Sequence, residues 1–273
     1  MTVAAIIVTA GRDRHLARTL AGLARQHRPP DEVIVVRMDA EPSLAVGAAG
    51  APTTIALGAH DRTALPLARA RNAGAEEAAD HDHLVFLDVD CIPAADVVVA
   101  YQDALTCWPG AVVSGPARYL DEGWDRPPPG VGDDAALAAR SRPPAARPVP
   151  AAGAAIEVGP ELFWSLAFGV SSATWQRVGG FDEGYVGYGA EDTDFGYRAR
   201  AASVPVVLVP DGVVFHQWHP PSRRDPALLA GMVANARRFR RRWGVWPMAG
   251  WFDELARAGL VRFDPGHDVL EPS

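Results

Sequence analysis

The chain has 273 residues, 48% apolar and 22% charged, and 26 basic against 33 acidic side chains leave a formal charge of −7. This composition excludes three classes: a disordered chain, which could not offset its ordering entropy; a bilayer-spanning protein, which needs a run of about 20 apolar residues; and a general nucleic-acid binder, which is basic. Every basic residue is an arginine, and Cys91 and Cys107 are too few for a disulfide framework, so the chain reads as cytoplasmic.

Strand and helix signals alternate through the first half, the pattern of a parallel sheet covered by helices. Val3–Thr9 is an apolar run ending at the turn-prone Ala10-Gly11. It is short and follows no basic segment, so it reads as a strand and not a leader. Asp13 is placed to cap a helix whose Leu16, Leu20 and Leu23 form one buried stripe. Pro29-Pro30 stops it. Strands are expected over 32–36, 54–57, 84–87 and 111–114, with helices from Pro66 to about Ala79 and over 95–106. The stretch 121–155 carries Pro127-Pro128-Pro129, Pro143-Pro144, Pro148 and Pro150 without a period, and reads as a long surface loop inside a single domain. Strands at 166–171, 204–209 and 213–216 follow, with helices Glu191–Ala201, Pro226–Trp243 and about 247–258. The fold class is α/β, a mostly parallel sheet flanked by helices and closed by C-terminal helices.

Ligands of open α/β sheets gather at the carboxyl ends of the strands. There the sequence places Asp88 and Asp90, one residue apart, so that alternate side chains of an extended chain can address one hard cation. Two turn residues after a strand would look the same. A second constellation is Gly179-Gly180-Phe181-Asp182-Glu183, followed by Gly187-Tyr188-Gly189-Ala190-Glu191-Asp192-Thr193-Asp194. Glycines ahead of a helix permit close approach of a substrate, and the helix N-terminus stabilises carboxylates. Asp194 could instead pair with Arg198 one turn on. A third is Phe215-His216-Gln217-Trp218-His219-Pro220, whose imidazoles could complete a mixed oxygen and nitrogen site and tilt the metal from Mg²⁺ toward Mn²⁺.

Together these segments resemble a nucleotide-sugar glycosyltransferase of the GT-A fold, in the broad family 2 group, and GGFDEGYVGYGAEDTDFGYR resembles the galactosyltransferase-type catalytic region. The resemblance covers most of the chain outside 121–155. It implies a nucleotide-binding half over 1–118, the Pro/Ala-rich loop at 119–155, an acceptor and catalytic half over 156–225 and C-terminal helices over 226–273. It implies that Thr9, Ala10, Gly11, Arg12 and Asp39 hold the nucleotide base, and that Arg71, in an ARN-G-like helix, lies beside the diphosphate. Asp88 is implied at the ribose or metal, Asp90 as a metal ligand with His216 or His219 (His216 the better match to a Y-H-Q pattern), Asp192 as catalytic base and Glu191 as holder of the acceptor hydroxyl. Tyr188 stands where galactosyltransferases often carry Trp, which leaves the donor sugar open.

The expected reaction is inverting transfer of a sugar from a nucleoside diphosphate sugar, UDP-linked by preference, to a hydroxyl. A divalent cation would offset leaving-group charge while a carboxylate takes the acceptor proton. The acceptor is a carbohydrate, glycoside or lipid-linked molecule. Trp124, Trp164, Trp218 and Trp246 are candidate stacking faces, Trp218 first among them. The run Arg237, Arg238, Arg240, Arg241 and Arg242 offers either a solvated helix face or a contact with the inner membrane surface. Two rivals stay open at this point, a nucleotidyltransferase acting on sugar phosphates and a non-catalytic sugar-nucleotide-binding module.

Overall fold

The computed structural model describes residues 1–39, 51–125, 133–220 and 225–273; Pro127, Pro128 and Pro129 lie outside them. An eight-stranded sheet forms the centre. Its strands are β1 (Val3–Thr9), β2 (Glu32–Arg37), β3 (Thr53–Ala56), β4 (His83–Asp88), β6 (Val112–Ser114), β9 (Ile156–Val158), β10 (Ala167–Ser171) and β11 (Val206–Leu208), in the spatial order β3-β2-β1-β4-β10-β6-β11-β9. β3, β2, β1 and β4 run parallel, as do β6 and β11, while β10 and β9 run antiparallel to their neighbours. Strands from the second half therefore interleave with those of the first.

The sheet is apolar on both faces because alternate residues of each strand meet a different helix layer. On one side Ala5, Ile7, Val35, Val85 and Leu87 pack with Leu16 and Leu23 of α1 (Asp13–Leu23) and with Val97, Val98 and Tyr101 of α3 (Val97–Cys107). On the other, Ala4, Ile6, Ile34, Leu84 and Phe86 pack with α2 (Leu67–Glu77) and α6 (Glu191–Ala201). The closing helices α7 (Pro226–Trp243) and α8 (Ala249–Arg257) build a further core with the hairpin β13 (Val261–Asp264) and β14 (Val269–Pro272).

A second, four-stranded sheet stands beyond the carboxyl ends of the first: β5 (Cys91–Pro93), β12 (Val214–His216), β7 (Ala117–Leu120) and β8 (Ser141–Arg142), in the order β5-β12-β7-β8. Several of its strands are three residues or fewer, too short to show a period. That is why the region expected to be one structureless loop instead holds α4 (Asp134–Ala139), capped by the Asp133 carboxylate on Ala136 N, and β8. The expected cap at Asp13 is corrected too. Asp13 is the first helical residue, no side chain caps the helix, and its carboxylate instead accepts from the buried Arg37 at 3.1 Å. A guanidinium is a stronger partner for a carboxylate than a neutral backbone N–H.

Candidate active site

Asp88 and Asp90 do not share one role. β4 ends at Asp88 and the chain turns through Val89 and Asp90 before β5, so strand alternation stops where it would have aligned them. Asp88 accepts from Arg71 Nη2 at 2.9 Å. Asp90, 5% exposed, faces the two imidazoles instead: His216 Nε2 lies 3.5 Å from Oδ1 and His219 Nε2 lies 3.3 Å from Oδ2. Among the described residues these three are the group whose donor atoms converge, all within 4.8 Å of one another. Both histidines are brought in, where the sequence favoured His216 over His219. β5 and β12 pair with Cys91 opposite His216, and Gln217 N donates to the Asp90 carbonyl at 2.7 Å, so the backbone ladder sets the spacing.

Charge in this cluster is set by its contacts. His219 reaches the Pro220 carbonyl through Nδ1 at 2.8 Å and Asp90 Oδ2 through Nε2 at 3.3 Å, so its ring spans two acceptors. Burial lowers the His216 pKa from its ordinary value despite the opposing charge of Asp90. The Asp90 carboxyl is held well below the ordinary range: burial works against ionisation, and His216, His219 and Arg12 outweigh it. The Arg12 guanidinium is paired directly with Asp90 Oδ2. One carboxylate and two imidazoles with converging donor atoms are a ligand set for a borderline divalent cation once the ring nitrogens are deprotonated.

Of the residues expected at the nucleotide base, Thr9, Ala10, Gly11 and Asp39 lie together at the ends of β1 and β2, whereas the Arg12 side chain is turned to Asp90. Gly11 N donates to Asp39 Oδ2 at 2.5 Å, and Arg37 holds both oxygens of that carboxylate at 2.9 and 3.1 Å. Ala10 sits between, and the buried Thr9 hydroxyl has no partner among the described residues.

Arg71 is the hub linking the two halves. It is 3% exposed, not the surface arginine its helix pattern allows, and bridges Asp88 and Glu191 Oε1 (3.3 Å) with its guanidinium over the Phe181 ring. Its neighbour Asn72 clamps the glycine-rich loop, accepting from Phe181 N at 2.8 Å and donating to Phe181 O and Glu183. That loop enters α6 through a left-handed residue, Ala190, with φ 71°. Gly187, with φ 79°, is required outright: a Cβ there would stand 2.7 Å from Thr63 O.

At the head of α6, Glu191 is buried against Arg71 and its Oε2 has no partner among the described residues. Asp192 is partly exposed; its Oδ1 accepts from Thr193 N at 2.6 Å and from the Thr193 hydroxyl at 3.3 Å. Burial and the adjacent Glu191 charge push its carboxyl up to about 7, against the pull of Thr193 and Arg71. Asp194 does not pair with Arg198. It is fully buried and accepts from Trp243 Nε1 at 2.7 Å and the Tyr185 hydroxyl at 3.2 Å, while Arg198 donates to the Gly179 and Gly180 carbonyls.

Tyr119 and Arg18, which the sequence left unmarked, and Tyr188, which it marked, complete the surroundings. Tyr119 of β7 stacks on His216 at 4.6 Å, and Arg18 of α1 reaches the buried Gln217 at 3.3 Å. Tyr188 lies parallel to Trp251 of α8 at 6.3 Å. No single-sequence signal marks Tyr119, because its strand is four residues long and its partner is 97 positions away. Of the four tryptophans singled out, Trp124 is buried core, Trp164 and Trp246 are half-buried, and Trp218 is 39% exposed beside the histidines. The arginines of α7 are largely matched by carboxylates: Arg238 and Arg242 on Asp182, Arg240 on Asp268 and Arg237 on Glu271.

Comparison with known proteins meets this geometry at the second half of the site. Residues 157–219 match the family described as the N-terminal domain of galactosyltransferase, a stretch that runs from β9 through α6 to His219. Across nearly the whole chain the fold matches that of GalNAc-T7 crystallised with UDP, GalNAc and Mn²⁺, with a TM-score of 0.59 at 13% identity over 94% of this chain and 57% of that one. The chain has the GT-A glycosyltransferase fold. TarS of S. aureus (residues 1–349, in complex with UDP) shares it with a TM-score of 0.56 at 14% identity, covering 88% of this chain and 66% of that one. In sequence, validoxylamine A glucosyltransferases from Streptomyces hygroscopicus subsp. jinggangensis (strain 5008) and subsp. limoneus are each 34% identical over 80 residues, 29% of this chain. The match spans less than a fifth of the length of these relatives, 18% and 17%. Within this GT-A fold, no helix among the described residues is long and apolar enough to cross a membrane.

Proposed function

We propose that the chain is a metal-dependent, inverting glycosyltransferase that moves a sugar from a nucleoside diphosphate sugar, UDP-linked by preference, to an acceptor hydroxyl. One observation carries the reading: the buried Arg71 guanidinium bridges Asp88, two residues before Asp90, and Glu191, and so ties two groups together, the convergent Asp90, His216 and His219 and the partly exposed Asp192 carboxyl with an acidity in the range of a general base. A pure binding module has no use for the second. The family match over 157–219 and the UDP-bound fold relatives add support.

In this proposal Thr9, Ala10, Gly11 and Asp39 seat the base, Arg12 stands between them and Asp90, and Asp88 and Arg71 orient ribose and diphosphate. Asp90, His216 and His219 would hold the cation, and two nitrogen donors favour Mn²⁺ over Mg²⁺. When bound, that cation supplies Lewis-acid neutralisation of a departing diphosphate. Asp192 takes the acceptor proton as the hydroxyl attacks, help worth about 10²–10⁴-fold. Glu191, fixed by Arg71, offers its unpartnered Oε2 to the acceptor hydroxyl. The acceptor is a carbohydrate or a glycoside, with Trp218 and the Tyr188–Trp251 pair as apolar faces for it. A lipid-linked acceptor would have to be met elsewhere than α7, whose positive charge is mostly compensated.

Incubation with Mn²⁺ and a panel of UDP-sugars tests this directly. Slow release of UDP, abolished by EDTA and restored by Mn²⁺, is expected. Pyrophosphate turnover would replace the proposal with nucleotidyl transfer, and binding without any turnover would replace it with a binding module.

A further inference from the structure

Arg12 is held differently from the other arginines that grip carboxylates of the site. Arg37 is fixed between Asp13 and Asp39, and Arg71 between Asp88 and Glu191, with only 4% of either side chain exposed. Among the described residues Arg12 has one carboxylate, Asp90, and 35% of its side chain is open. It stands in the non-helical turn before α1, with φ −116° and ψ 45°. Its main chain is secured independently: Leu16 N donates to the Arg12 carbonyl at 2.9 Å, and Gly11 N donates to Asp39. The side chain can therefore leave Asp90 while the turn stays in place.

The carboxylate it grips is also the one that the two imidazoles face. Asp90 Oδ2, paired with Arg12, lies 3.3 Å from His219 Nε2, and donor atoms of Asp90, His216 and His219 all lie within 4.8 Å of one another. A divalent ion seated among them would stand beside the guanidinium, leaving one carboxylate for two cations. Like charges that close repel strongly away from bulk water, so Arg12 and the ion compete for Asp90. A diphosphate on that ion changes the balance. Its oxygens carry the missing negative charge and would lie next to Asp90, and a guanidinium matches phosphate oxygens with two parallel N–H bonds. Arg12 would need to move by little more than the width of the ion.

We propose, on the reading that Asp90, His216 and His219 take a divalent ion, that Arg12 is a diphosphate-binding residue held in reserve on Asp90. It opposes the ion when no nucleotide is present and grips the diphosphate when both are. Ion and nucleotide then strengthen each other's binding, in part through Arg12.

Titration calorimetry of the full chain with MnCl₂, alone and with saturating UDP, tests this in the parent and in Arg12→Met. The affinity of UDP for Mn²⁺ in free solution is common to both proteins and cancels. Without UDP the variant should bind Mn²⁺ about fivefold more tightly. With UDP that advantage should vanish or reverse, so that UDP raises the Mn²⁺ affinity of the parent at least about fivefold more than that of the variant. Equal or weaker Mn²⁺ binding by the variant without UDP overturns the competition, and an advantage that persists with UDP overturns the grip on the diphosphate; the cation site stands in either case. Mn²⁺ binding by neither protein, with or without UDP, overturns the site and this proposal together. Should Arg12→Met fail to fold, crystals of the unaltered protein with Mn²⁺ and UDP decide the matter. The Arg12 guanidinium on a phosphate oxygen supports the proposal, and a guanidinium anywhere else refutes it.

Discussion

Asp192→Asn is the substitution on which the proposed chemistry can be judged most sharply, because it should move two observables in opposite directions. The folded protein holds the Asp192 carboxyl at about 7, against 3.8 for an ordinary aspartate. Between those two values the folded state keeps a proton that the unfolded state has released. Ionising Asp192 therefore costs stability, progressively from about pH 4 to pH 7 and in full above it. About three decades of acidity correspond to roughly 4 kcal/mol at 1.36 kcal/mol each. The carboxyl is partly exposed and solvent screens it, so about 2 kcal/mol is the realistic figure. Asparagine keeps the shape and carries no charge. Its Tm should exceed that of the parent by roughly 4–8 °C at pH 8 and match it at pH 4, while UDP-sugar turnover falls about 10²–10⁴-fold and UDP binding persists. For the parent, kcat/KM should fall as the pH drops below about 7, because the base becomes protonated. Scanning calorimetry at both pH values, with UDP release measured in parallel, reads all of this. Undiminished turnover would remove Asp192 from the reaction, and a variant no more stable than the parent at pH 8 would refute the electrostatic argument.

Other substitutions probe the supports. Arg71→Met strands Asp88 and Glu191 without their shared cation, and should cost about 3–5 kcal/mol in urea unfolding with an unchanged m-value. Gly187→Ala forces a side chain into a left-handed turn against Thr63 O, so a loss of at least about 1–2 kcal/mol is expected from the Tm. Arg12→Met removes the guanidinium paired with Asp90. Mn²⁺ titration by calorimetry should then show tighter binding by about fivefold, the equivalent of about 1 kcal/mol for a partly exposed pair; weaker binding would mean that Arg12 assists the cation site. His219→Ala should lower Mn²⁺ affinity with little change in Tm, since its ring is exposed on one side.

Long periodic elements were legible in the sequence. The bounds of α6 and α7 are those read from the pattern, and seven of the eight strands of the central sheet lie within a residue or two of expectation, the three-residue β9 being the one not expected. Of the second sheet only β12 was, as the strand expected at 213–216; its other strands, of two to four residues, carry no period and owe their pairing to partners far along the chain. The same distinction runs through the site. Asp90, His216 and His219 could be picked out as residue types near strand ends, and the structure brings them together. Their separation from Asp88 could not be read, because it depends on where β4 stops. Nor could the burial of Arg71, whose partners are 17 and 120 positions away, or the capture of Asp194 by Trp243 from another helix. For Asp194 the local pattern offered Arg198 one turn away, and the indole N–H of a distant tryptophan took its place.

The pairing of β5 with β12 also bears on how this protein could be re-engineered. Because the distance between Asp90 and His216 is fixed by main-chain rungs, inserting or deleting one residue in either strand would turn the imidazole to the opposite face and dismantle the cluster at a stroke. The 121–155 excursion meets that sheet through the two-residue β8 at its outer edge. Length could be added or removed there at modest entropic cost, which makes it the place to splice in new recognition elements without disturbing the triad.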